Sequence, residues 1–241
     1  MKYGIQSLVL VALLMLSTES TAQFGKLLDK AKTAVSGGAG LSQADIGNGL
    51  KEALEVGVTD AVSTLSAEDG YLASAYKIEL PSEASKVVSK LKMVPGFSNV
   101  EEDLINKMNE AAELAAQKAT PIFVNAIKEM TFADAKNILV GEDNAATTYL
   151  QKSSREKLYA EFKPIIQKAL DEVNARDLWQ KASAAYNKIP LTKDVNTQLD
   201  EHVNEKALDG LFGLIAVKEE GIRNDHSLRS SDLLKKVFAE Q

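Results

Sequence analysis

The sequence predicts an all-α protein, a multi-helix bundle of about nine or ten helices with no significant sheet. Three observations carry that prediction. Apolar residues recur at three- and four-residue steps along most of the chain, as one face of a 3.6-residue period requires. Helix-capping residues return at intervals. No alternation of apolar and polar residues runs beyond about five positions, so half-buried strands have no support. Composition agrees: of 241 residues 45% are hydrophobic and 26% charged, which is ordinary for a globular chain and unlike a disordered, collagen-like or multi-span membrane protein.

The chain opens with Lys2, an unbroken apolar run over residues 8–16, and the small residues Ser20-Thr21-Ala22 before Gln23. These are the parts of a secretory signal peptide covering residues 1–22 and cleaved after Ala22. Nine apolar residues at 1.5 Å each cover under half of a ~30 Å hydrocarbon core, too little for a membrane anchor. The expected location is therefore the periplasm, with no transmembrane segment left after cleavage. Residues 23–40 hold a short amphipathic stretch, 24–35, and a glycine-rich joint, 37–40. A single all-helical domain is expected over 41–241.

Within that domain, Ser42 with Asp45 resembles a capping box, and Ile46, Leu50, Ala53, Leu54, Ala61, Val62 and Leu65 continue as one helix over 43–66. Gly47, Gly49 and Gly57 inside it are expected to mark the close approach of another helix. Asp69-Gly70 reads as a turn, 71–80 has no clear pattern, and Pro81 and Pro95-Gly96 frame a short helix over 82–92. Asp103 opens a helix with Leu104, Met108, Ala111, Ala112, Ala115 and Ala119 on one face. Thr120-Pro121 reads as the cap and first residue of the next helix, and Thr131 with Asp134 caps another that Gly141 ends. Asp143 or Asn144 caps a short helix over 145–151, and Ser153 with Glu156 opens a second over 155–172, which Pro164 is expected to kink or break. A helix over 177–187 carries Trp179 and stops at Pro190. A helix over 195–205, an apolar one with Leu208, Leu211, Phe212, Ile215 and Ile222, and a terminal helix after Ser230 or Ser231 complete the series.

Formal charge is −6 without long like-charged runs, so the basic footprint of a nucleic-acid binder is missing. No cysteine is present, which removes disulfides, thiolate nucleophiles and sulfur-ligated metals. His202 and His226 lack metal-ligand spacing. Gly47-Asn48-Gly49 starts like a dinucleotide fingerprint, but Glu52 replaces the third glycine and no strand precedes it. Asp194, Asn196 and Glu205 echo a calcium loop, yet Leu199 stands where that loop needs glycine. No G-x-S-x-G, S-x-x-K, H-E-x-x-H or Walker pattern occurs, and no cofactor is expected.

Six residues remain as candidates for a ligand site. Asn109 and Glu113 are helix neighbours at the edge of the alanine-rich face, placed either for a ligand or to brace an adjacent helix. Asp209 lies beside the Leu208, Phe212 and Ile215 face with Lys206 as its local partner, an arrangement that suits an ion pair or acid-base work. Asp134 joins them as a further carboxylate. Arg223, with Arg229 beyond it, stands before the last helix, where arginines near a helix N-terminus attract anions.

Several runs carry a family resemblance: Lys77-Ile78-Glu79-Leu80-Pro81, Met108-Asn109-Glu110-Ala111-Ala112-Glu113, Asp134-Ala135-Lys136-Asn137-Ile138-Leu139 and Ala145-Ala146-Thr147-Thr148-Tyr149. With them stand Lys206-Ala207-Leu208-Asp209-Gly210-Leu211-Phe212 and the ending Asp232-Leu233-Leu234-Lys235-Lys236-Val237-Phe238. Together they resemble the bacterial Domain of Unknown Function 4197 family from Leu41 to the C-terminus. The resemblance implies an exported, all-helical envelope protein without an assigned activity. Lys77 meets the basic residue that the family pattern puts before its I-x-L-P segment, whereas Glu110 stands where that pattern favours arginine.

Function is expected to be that of a binding or interaction module of the cell envelope, taking an apolar or amphipathic ligand between helices or an envelope protein partner. The first version requires a closed apolar cavity among the helices over 104–130 and 206–222. The second requires an exposed apolar patch. An enzyme, the alternative, requires Asn109, Glu113, Asp134, Asp209 or Lys206 from separate helices to converge in one cleft with perturbed pKa values.

Overall fold

The computed structural model describes residues 42–92, 95–172, 175–188, 198–229 and 231–238. The signal segment, the stretch 24–35, the joint 37–40, Pro190 and Asp194-Val195-Asn196 lie outside the described residues. The chain divides into two compact units, Met1–Asp45 and Ile46–Gln241. In the first, Ser42 Oγ donates to the Asp45 carboxylate at 2.5 Å and accepts the Asp45 N–H at 3.2 Å, which forms the expected capping box.

Among the described residues there are nine α-helices and no strand. They are α1 (Gln43–Leu65), α2 (Ser82–Leu91), α3 (Val100–Ala116), α4 (Ala119–Glu129), α5 (Phe132–Leu139), α6 (Ala145–Glu172), α7 (Ala175–Tyr186), α8 (Leu199–Asn224) and α9 (Asp232–Val237), with a 3₁₀ turn at His226–Leu228. In the second unit the long helices α6 and α8 pack along each other, and α3 lies against both. Helices α4 and α5 cover α6, while α2 and α7 pair beside α3. The alanine face of α3 explains the tight centre: Ala111, Ala112, Ala115 and Ala116 are fully buried, so neighbouring helices come close enough to exclude water. Phe123 of α4 meets Phe212 of α8 edge to face at 5.5 Å, the favoured arrangement for two aromatic quadrupoles.

The structure differs from the sequence reading in places that share a cause. Residues 145–172 form one helix, not two, with Pro164 inside it. Ser153 turns its hydroxyl back to the Tyr149 carbonyl at 2.8 Å instead of capping. Leu150, Ser154, Leu158, Phe162 and Ile166 are all buried along one stripe, so packing holds the helix through its weak points. The two helices expected on either side of residue 206 are likewise one continuous α8. Thr120 and Pro121 fall inside the first turn of α4, which begins at Ala119. Gly57 faces open space, and Gly47 makes only an ordinary 3.5 Å approach to Phe132, so neither marks a tight helix crossing.

Candidate functional site

Residues 66–81 link α1 to α2 without forming a helix, and they run as a strap across α3 and α8. Its anchor is Tyr71, fully buried, whose hydroxyl donates to the Ala207 carbonyl at 2.7 Å. The ring fits because α8 carries Gly210 there: a Cβ would stand 2.8 Å from Tyr71 Cε1. Tyr76 covers Gly213 in the same way at 2.7 Å. From α3, Asn109 brackets Ile78, accepting its N–H at 2.8 Å and donating to its carbonyl at 3.0 Å, while the other amide hydrogen goes to the Ile105 carbonyl at 2.7 Å. One turn on, Glu113 accepts the Tyr71 N–H at 3.2 Å. His202 Nε2 lies 2.8 Å from the Glu79 carbonyl oxygen.

The strap's electrostatics follow from half-burial. Loss of solvent raises the Glu113 pKa, against backbone N–H groups of the strap that lower it, and the nearby Asp69 charge adds to the rise. Burial, reinforced by Glu113, also pushes the Tyr71 phenol up, so it stays a neutral donor. Beside the strap lies an open groove of about 580 Å³, bordered by Leu72 and Lys77 of the strap, by Lys92, and by Ser98, Asn99, Glu101, Glu102, Ile105 and Asn106 around the start of α3. Its lysines are exposed and partly paired, Lys77 with Glu79 at 2.9 Å and Lys92 with Glu101 at 2.6 Å.

The other sequence candidates occupy different settings. Asp209 and Lys206 are 3.7 Å apart on the surface of α8, and Arg155 of α6 joins them, reaching Asp209 at 2.8 Å and Glu205 at 2.5 Å with its guanidinium 5.9 Å from the Phe212 ring centre. Asp134 completes a capping box with Thr131, whose hydroxyl bond lowers the Asp134 pKa. Arg223 is buried in the last turn of α8, 2.9 Å from buried Glu219, with a further bond to the Ile138 carbonyl at 2.8 Å. It therefore does not stand in an open loop at the N-terminus of α9. Glu219 also accepts the N–H groups of Ala146 and Thr147 at 2.8 and 2.7 Å, placing a carboxylate at the positive end of α6.

Asn109 and Glu113 are thus brought together by the strap, and Lys206 with Asp209 by their shared helix face, while Asp134 and Arg223 have other partners. Among the described residues no group of three or more His, Asp or Glu side chains is placed to hold a metal. On the helices among which an apolar ligand was expected, Leu104, Met108, Phe123, Ile127 and Phe212 are buried. The large exposed apolar side chains among the described residues are Val56 on α1, Leu114 on α3, Phe132 on α5 and Val140 just after it, Val217 on α8 and Leu228 in the 3₁₀ turn. Sequence reasoning missed Tyr71, Arg155 and Glu219. Only Glu219 left a local signal, its four-residue spacing from Arg223.

Three of the runs quoted above meet at the strap: the one containing Ile78, the one containing Asn109 and Glu113, and the one containing Ala207 and Gly210. A family model described as "Protein of unknown function (DUF4197)" matches residues 40–239. No curated protein and no solved structure matches the chain significantly. Among the described residues, no helix is long and apolar enough to cross a membrane.

Proposed function

We propose, for a chain that belongs to the DUF4197 family of proteins of unknown function, that it acts after export as a binding module of the cell envelope, and that the groove beside the strap takes a small, polar, charged ligand. The observation that carries this reading is the groove itself. Its volume of about 580 Å³ falls within the range of small-molecule sites, and it is open without any rearrangement. Its borders supply both kinds of polar group: ammonium donors from Lys77 and Lys92, amide groups from Asn99 and Asn106, and carboxylates from Glu101 and Glu102. The strap gives one wall a fixed position, because Asn109 and Tyr71 tie it to two separate helices.

Binding rather than catalysis is favoured by how Asn109 is used. All three of its bonds go to backbone groups, and both amide hydrogens are used, so it has no N–H left to donate to a reacting atom. Export is supported by the apolar run over residues 8–16 and the small residues ending at Ala22.

Native mass spectrometry of the processed protein, released gently from the periplasm, tests the reading. The expected spectrum shows a bound small mass that disappears in Lys77→Ala and Asn106→Ala chains. A bare monomer, or a mass that both variants retain, overturns the groove assignment and moves the binding role to transient protein partners.

A further inference from the structure

The groove beside the strap has two walls of different origin. Leu72 and Lys77 come from the strap, whereas Glu102, Ile105 and Asn106 come from the first turns of α3. With Lys92 and Glu101, the border carries two ammonium groups and two carboxylates, so its formal charge is zero. These four groups are not equally engaged. Lys92 and Glu101 neutralise each other at 2.6 Å. Lys77 pairs at 2.9 Å with Glu79, which is exposed and lies outside the border. The Glu102 side chain has neither an ion pair nor a hydrogen bond among the described residues. The strap wall therefore offers a cation with an exposed, easily exchanged partner, and the α3 wall offers an unpartnered anion. Leu72 and Ile105, each partly buried, add one apolar side chain from either wall.

A ligand charged with one sign meets a like charge on this border. An anion drawn to Lys77 faces Glu102, and a cation drawn to Glu102 faces Lys77. A ligand with one charge of each sign escapes that conflict. We propose that the groove takes a zwitterion with an apolar middle, its carboxylate on Lys77, its ammonium on Glu102 and its apolar part against Leu72 and Ile105. Free amino acids and short peptides share that chemistry. Asn106 lies four residues beyond Glu102 on the same helix face, and its amide oxygen is a second acceptor for the ammonium end. The proposal rests on the reading of this groove as the binding site and narrows its small charged ligand to one class.

Titration calorimetry on the processed protein tests it with leucyl-leucine, N-acetyl-leucyl-leucine and leucyl-leucinamide, which carry both charges, only the anion and only the cation. Leucyl-leucine is expected to bind about fivefold more tightly than either blocked form, the difference that one exposed ion pair supports. Glu102→Gln should abolish the advantage over N-acetyl-leucyl-leucine and keep that over leucyl-leucinamide, and Lys77→Gln should do the reverse. Both side chains are exposed, so neither variant removes core packing. A blocked form that binds wild type as tightly as the zwitterion overturns the proposal, as does an advantage that survives in both variants. Binding of none of the three also overturns it. The groove reading is then judged separately by the native mass spectrum, where a bound mass lost in Lys77→Ala and Asn106→Ala keeps the groove as the site of another ligand. Free leucine in the same titration identifies the source: affinity equal to that of leucyl-leucine supports an amino acid, and weaker affinity supports a peptide.

Discussion

Asn109 shows how much one side chain can settle. It is fully buried and satisfies both backbone groups of Ile78, a residue 31 positions away, as well as the Ile105 carbonyl. Removing the amide takes the side-chain partner from the buried N–H and carbonyl of Ile78, the costly side of hydrogen bonding. Asn109→Ala is therefore expected to lose about 3 kcal/mol of stability, read as a lower urea midpoint at unchanged slope. An unchanged midpoint would show that the strap finds other partners. The sequence placed Asn109 and Glu113 on one helix edge and left ligand or brace open. Helix spacing says which side chains are neighbours, whereas their partner sits on a strap with no periodic pattern. Asn204 repeats the lesson: it is fully buried, donates to the Tyr159 carbonyl at 3.0 Å, and leaves Oδ1 unmet, which no sequence pattern announces.

At the scale of the element, α6 is the informative case. Pro164 lies in its interior and is exposed, so it removes one backbone bond and fills no core space. Pro164→Ala should restore the bond without opening a cavity and stabilise the fold by about 1 to 3 kcal/mol, measured as a rise in the urea midpoint. No gain would mean that the freed carbonyl already has a partner. Local signals mark where a helix prefers to stop, and on that basis α6 and α8 each read as two helices. Their buried stripes run through those stops, and burial along 28 and 26 residues outweighs a single capping serine or proline. Local signals succeeded where nothing opposed them, as at the Thr131 and Asp134 capping box.

For the whole molecule, charge and burial set the response to pH. The folded-state pKa of Glu113 is raised, so its protonated form suits the fold better than its charged form. Its stabilising contribution is complete below the ordinary carboxylate pKa and is lost as pH rises through the raised value. Glu113→Gln keeps an oxygen acceptor for Tyr71 without the charge, so its stability relative to wild type should improve between pH 4 and pH 7, about the span above an ordinary carboxylate. A constant difference across that span, in urea titrations at several pH values, would remove Glu113 from this account. Asp134 and Asp225 act oppositely: hydrogen bonds from Thr131 and Ser227 lower their pKa values, so their contributions are present at neutral pH and fade in acid. The sequence by itself determined the helical class, the alanine-rich face of α3 and the family, because periodicity and motif runs are local properties of the chain. Tertiary structure alone decided that Tyr71 fits over Gly210, that Arg155 reaches Asp209 and that the guanidinium groups of Arg223 and Arg229 face the Phe238 ring. Each joins residues far apart in the chain, and such pairings depend on which faces the packed helices turn toward one another.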